Sequence, residues 1–293
     1  MSNYRYHILA FLIVVVWGTT FVSTKVLINN GLTPIDIFVC RFALAYALVW
    51  IVSPKKVFAN SLSDELCLAA LGVTGGSLYF LAENFALSYT NTSNVSLIVC
   101  TTPIFTYILL ALTSKDERMN RWQIGGSLLA FAGMALVVLN GRFVLKLSPL
   151  GDVLAFAAAW SWAFYSLLMK RLMGRYSSKF INRKIFFYGL LTVAPVALAH
   201  GFTLTYDIVL TPQVFMNLIY LGVVASMICY ILWNVVLKNI GVVNASNYIY
   251  LNPVVTVITA AALINERITV FAIIGMVMIL GGLFLAERKL NRI

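Results

Sequence analysis

Charge is what this sequence has least of. Only 11% of its 293 residues are charged, ten of them acidic and twenty-one basic, where an ordinary soluble domain carries about 25%. Histidine occurs twice, at His7 and His200, far apart. The four cysteines, Cys40, Cys67, Cys100 and Cys229, sit singly inside apolar stretches, which argues against a disulfide framework or a thiolate metal site. No HExxH, no GxSxG and no GxxxxGK[ST] is present, so the chain has no recognisable centre for zinc hydrolysis, serine acyl transfer or nucleotide-driven work. An enzyme is not expected, nor is a cofactor or a bound metal.

Apolar side chains fill the space instead. They make up 61% of the chain, and the mean hydropathy is +0.91. That much apolar surface needs lipid rather than one core. A helix crosses the hydrocarbon layer with about 20 apolar residues, and ten such runs fit, near 8–27, 34–52, 66–87, 92–112, 122–139, 150–172, 185–204, 214–237, 243–263 and 270–287. The first is long enough to span, and no small-residue cleavage site follows it, so it is expected to stay as a helix rather than be removed as a leader. The fold class that follows is an all-α integral membrane protein with ten transmembrane helices.

The excess of positive charge falls beside these runs. In a soluble protein it would point to nucleic acid; here it sets orientation. With the N-terminus inside, the inner loops hold sixteen Lys and Arg and the outer loops four, with Arg41 left within the membrane, which accounts for all twenty-one. Both termini are therefore expected in the cytoplasm, in a plasma (bacterial inner) membrane. The partners expected are the lipid bilayer and a small molecule, with no nucleic acid; the oligomeric state is not encoded in any pattern here.

The chain also repeats itself at an offset of about 143 to 150 residues. Trp17, Phe21 and Ser23 match Trp160, Phe164 and Ser166. Leu71-Gly72-Val73 and Asn84 match Leu221-Gly222-Val223 and Asn234. Asn94, Ser96 and Pro103 match Asn244, Ser246 and Pro253, and Glu117-Arg118, Gly126 and Gly133 match Glu266-Arg267, Gly275 and Gly282. The halves are 1–139 and 150–293, within one membrane domain. Five helices per half is an odd number, so the halves must run oppositely through the membrane. Such inverted repeats build alternating-access carriers with a site at mid-membrane.

These positions, together with Trp17-Gly18, Arg41 and Gly151-Asp152, resemble the EamA-type family of the drug/metabolite transporter superfamily. The resemblance spans essentially the whole chain as two copies of a five-helix unit. It implies a carrier of small organic metabolites, with exporters of amino acids among its members.

Several residues stand out as places for a solute. Trp17 and Trp160 fall mid-helix, where Trp is unusual; they either pack helices or form an aromatic wall, helped by Tyr79, Trp162 and Tyr165. Thr102 shares a helix face with Asn94, and Asn252 with Tyr248 and Asn244. Such polar stripes avoid lipid, serving either interhelical hydrogen bonds or a cavity. Pro103 and Pro253, mid-helix, each remove a backbone bond and predict a kink or local unwinding. Arg41 and Glu83 are the main intramembrane charges, suited either to a fixed ion pair or to coupling and gating; Asp36 is a second possible partner for Arg41. Gly72 and Gly76, and the glycines of the fifth and tenth runs, read as close-packing points.

Together these observations favour a secondary carrier that exports a small organic solute such as an amino acid. Two other readings stand beside it: an intramembrane lipid-modifying enzyme, which would want paired carboxylates at depth, and a non-transporting membrane protein, which has no need of mirrored prolines and asparagines.

Overall fold

The computed structural model describes residues 4–53, 57–90, 92–113, 120–139, 148–201, 205–264 and 269–287. The Glu117-Arg118 and Glu266-Arg267 pairs, the flanking charged loops and both chain ends lie outside the described residues, as does the side chain of Asn94.

Among the described residues the chain is helical and forms no strand. The helices are α1 (Tyr4–Asn29), α2 (Pro34–Val52), α3 (Leu62–Tyr89), α4 (Thr92–Val99), α5 (Thr102–Thr113), α6 (Arg121–Leu139), α7 (Pro149–Leu172), α8 (Ser178–His200), the single turn α9 (Tyr206–Leu210), α10 (Pro212–Ile240), α11 (Val242–Asn247), α12 (Asn252–Ile264) and α13 (Val270–Glu287). Six of them, α1, α2, α3, α7, α8 and α10, are long and apolar enough to cross a membrane.

Local chemistry explains the boundaries. Gly31 (φ 91°) and Gly241 (φ 82°) stop α1 and α10 in a backbone region costly for any residue with a Cβ. Thr33 caps α2 in a reciprocal box with Asp36, and Pro34 occupies the first turn. Ser177 caps α8, so α8 starts seven residues before the expected 185: the basic stretch Lys179–Lys184 is helical, not loop.

The two prolines act as expected. Cys100 and Thr101 form a turn between α4 and α5, just before Pro103. Tyr248–Leu251 tighten into a 3-10 turn between α11 and α12, just before Pro253. A second irregularity was not anticipated. Both α3 and α10 widen into π-helical turns, at Val73–Ser77 and Tyr220–Ile228. Each lies in a stretch of small residues, Thr74-Gly75-Gly76-Ser77 and Ala225-Ser226, that leave room for the wider turn.

Packing then builds the core. Helix α1 lies against α10 and α12, while α7 lies against α3, α4 and α5. Helices α6 and α13 make the closest pair. A Cβ on Gly126 would stand 2.4 Å from the Gly282 carbonyl oxygen, and one on Gly282 would stand 2.5 Å from the Gly126 oxygen; Gly133 and Gly275 are reciprocal in the same way. At one end α3 is tied to α8 and the turn before it. Lys184 pairs with Glu65, which also accepts from Tyr188 (2.5 Å), and Asp64 accepts from Arg175 (3.1 Å) and Tyr176 (2.8 Å). The Arg183 guanidinium lies over Trp50, 4.2 Å from its centroid, and donates to the Ser53 carbonyl.

Candidate functional site

Side chains from other helices donate to backbone carbonyls within the two π turns. Trp17 Nε1 of α1 donates to the Ala225 oxygen (3.0 Å). Tyr230 donates to the Gly75 oxygen (2.7 Å), and Ser161 of α7 to the Thr74 oxygen (2.7 Å). These bonds fix the rings at the centre of the molecule. Trp17 meets Trp233 at 5.0 Å, Trp162 edge-on at 5.5 Å and Tyr230 at 6.0 Å, while Tyr79 lies 4.9 Å from Trp162.

Between α1, α2, α3, α5, α7, α10 and the 3-10 turn before α12 these rings leave a cavity with about 470 Å³ of free space, open mouth included. Trp17, Tyr79, Phe80, Trp162 and Tyr230 give it an aromatic wall, and Arg41, Glu83, Thr102 and Asn252 supply polar groups. Thr102 is already engaged, donating to the Val99 carbonyl (2.6 Å). Arg41 rests over the Phe80 ring, 4.1 Å from its centroid, and its Nε donates to Ser226 Oγ (2.5 Å) in the π turn of α10. Glu83 has Tyr79 beside it, one turn earlier on α3. The buried Glu83 Oε2, Trp162 Nε1 and Asn252 Oδ1 find no hydrogen-bond partner among the described residues. Buried polar atoms are rarely left so. Others lie elsewhere in the chain, but these three share one cavity, which can therefore take a polar occupant.

Of the residues singled out in the sequence, Trp17, Tyr79, Thr102, Trp162, Asn252, Arg41 and Glu83 thus meet at one cavity. Three others do not line it. Trp160 stacks on Phe105 at 4.5 Å, next to Phe156. It is two residues from Trp162, about 200° around the helix, so the two cannot share a face. Tyr165 is fully buried behind the wall, donating to Asn234 (3.0 Å), and its ring covers Gly75. Tyr248 lies against His7 of α1, its hydroxyl 2.9 Å from Nδ1. No ion pair joins Arg41 to Glu83 within 4.0 Å among the described residues, although both face the same space. Phe80, Tyr230 and Ser226 were not singled out; the cluster of small residues at Gly75 and Ala225 was the only trace of the turns that orient them.

Known proteins resemble this chain along nearly its whole length. The model of the EamA-like transporter family matches residues 5–139 and 149–287. A protein of Archaeoglobus fulgidus named "uncharacterized transporter" is 28% identical, covering 98% of this chain and 99% of its own. A "probable amino-acid metabolite efflux pump" of Escherichia coli is 28% identical over 95% of this chain and 93% of its own. A "probable terminal-alkyne amino-acid exporter" of Streptantibioticus cattleyicolor is 27% identical over 95% and 92%. A solved crystal structure shares the fold, with a TM-score of 0.80 at 16% identity over 97% of this chain and 99% of the other.

Proposed function

This chain belongs to the EamA-like transporter family, and from that membership we propose that it is a secondary exporter of small organic metabolites such as amino acids, working by alternating access between two oppositely oriented five-helix halves, ten spans in all, in the plasma (bacterial inner) membrane. The observation that carries this reading is the aromatic cavity with unpartnered polar atoms on Glu83, Trp162 and Asn252. The mirrored π turns of α3 and α10 and the breaks before Pro103 and Pro253 support the two-half description. The relatives named for amino-acid export support the substrate class. Both termini face the cytoplasm in this reading, so cysteines placed at Ser2 and Asn291 label only after the membrane is opened; labelling from outside in intact cells contradicts it.

Glu83 serves coupling, with Arg41 as the charge it works against. Its repeat counterpart, 150 residues on, is the buried Trp233, so the scaffold does not need a carboxylate there. A carboxylate in a water-poor site takes up or releases a proton as its water and its distance from a cation change. In reconstituted vesicles, amino-acid efflux through the wild type responds to an imposed pH gradient, whereas Glu83→Gln gives a folded carrier whose flux is flat across the same gradient. An unchanged response in a stable Gln variant removes Glu83 from coupling.

A further inference from the structure

We propose that Arg41 is the anchor for a carboxylate, so that the exported solute is a carboxylic acid whose acid group sits on the Arg41 guanidinium and whose N–H donors turn to Asn252 and Glu83. This rests on the reading of the cavity as the solute site and narrows it.

Arg41 is 3% exposed in a chain that crosses a membrane. An arginine so placed needs an anion or a full set of acceptors. Among the described residues its guanidinium has one acceptor, Ser226 Oγ on Nε, and the Phe80 ring beneath it. No carboxylate lies within ion-pairing distance among the described residues, and no acceptor there meets the two terminal nitrogens. The bond to Ser226 and the ring stacking fix the plane of the group without using those nitrogens. A planar fork of two N–H donors held this way fits a carboxylate with two parallel bonds.

The rest of the cavity says what the acid carries. Asn252 Oδ1 and Glu83 Oε2, on residues 6% and 5% exposed, are acceptors without donors. An ammonium group supplies the donors they lack. The aromatic rings around Trp17 suit an apolar body. A zwitterion also balances the cavity's own cation and carboxylate, which a simple amine or a simple acid does not.

The test uses the full-length protein in lipid nanodiscs and calorimetry with the twenty standard L-amino acids and their primary amides, which keep everything but the carboxylate. The wild type is expected to bind at least one amino acid about 10- to 100-fold tighter than its amide, the worth of a charge-assisted bond. Arg41→Gln is expected to bring the two to equal affinity. Arg41→Lys keeps the charge but not the fork, and is expected to retain a smaller preference; it stands in should the Gln variant not fold. Equal wild-type affinity for acid and amide, or a preference that survives Arg41→Gln, overturns the anchor while leaving the cavity a solute site. If no amino acid binds, the substrate class proposed here is overturned; if no flux of any solute is seen in vesicles either, the carrier reading fails with it.

Discussion

Gly126→Val leaves almost no folded protein, and Gly282→Val does the same. At Gly126 a Cβ would lie 2.4 Å from the Gly282 oxygen and 2.6 Å from the Ala286 nitrogen; at Gly282 it would lie 2.5 Å from the Gly126 oxygen and 2.6 Å from the Ala130 nitrogen. These neighbours are backbone and cannot turn aside. The helices must separate, and in lipid they have little but close packing to hold them. Overfilling a tight contact costs about 1–3 kcal/mol or more, and a parted α6–α13 pair loses contacts along its whole length. The neighbouring glycines supply the control: a Cβ on Gly125 meets only Leu285 Cδ2 at 3.9 Å, and one on Gly281 only Leu129 Cδ2 at 4.0 Å. Gly125→Val and Gly281→Val should therefore melt near the wild type in a detergent thermal-shift series. Equal stability for Gly126→Val and Gly125→Val would show that the helices do not meet as described.

Trp17→Ala is expected to abolish solute binding and to lower stability by about 3–5 kcal/mol, the usual cost of removing a buried large aromatic ring. Its ring touches Trp162, Trp233 and Tyr230, and its N–H donates to the Ala225 carbonyl in the π turn. The two roles separate in Trp17→Phe. That variant keeps an aromatic surface but loses the bond to the carbonyl, at about 0.5–1.5 kcal/mol. It should bind solute measurably, more weakly than the wild type, while Trp17→Ala binds none. Trp160→Ala provides the contrast, because Trp160 stacks on Phe105 outside the cavity; it should leave solute affinity near the wild-type value. Loss of binding in Trp160→Ala with full binding in Trp17→Ala would exchange the two assignments.

Six of the ten expected spans were legible because the length of an apolar run is one-dimensional information, as is the presence of a proline; the other four are not among the described helices long and apolar enough to cross. Pro103 and Pro253 break their helices by removing a donor; the stops at Gly31 and Gly241 and the Thr33-Pro34 cap became evident only in the structure. The cavity was legible in part for a similar reason, since Arg41, Glu83 and Asn252 cannot face lipid at that depth. Which aromatic faces the centre was not. That choice depends on how each helix is rotated, and the repeat match of Trp17 to Trp160 singled out identity rather than facing, so Trp160 was set beside Trp162 although only Trp162 lines the cavity. The π turns added a second obstacle. An extra residue per turn rotates everything after it, which carried Tyr230 and Ser226 into view of Arg41 without any pattern of period 3.6 to announce them. The basic run after Ser177 looked like a loop, and the Ser177 cap that starts α8 was not anticipated; Arg183 is instead covered by Trp50, and Lys184 by its pair with Glu65.

The central claim is that solute passes through the cavity walled by Trp17 and Trp162. Its most direct measurement is counterflow in purified, reconstituted vesicles. Vesicles loaded with a mixture of unlabelled amino acids are diluted into labelled ones, and entry of label is followed with the wild type, with Trp17→Ala and with empty vesicles. The account predicts transient accumulation of at least one amino acid by the wild type and none by Trp17→Ala or the empty vesicles. Accumulation by a well-folded Trp17→Ala carrier equal to that of the wild type would contradict it.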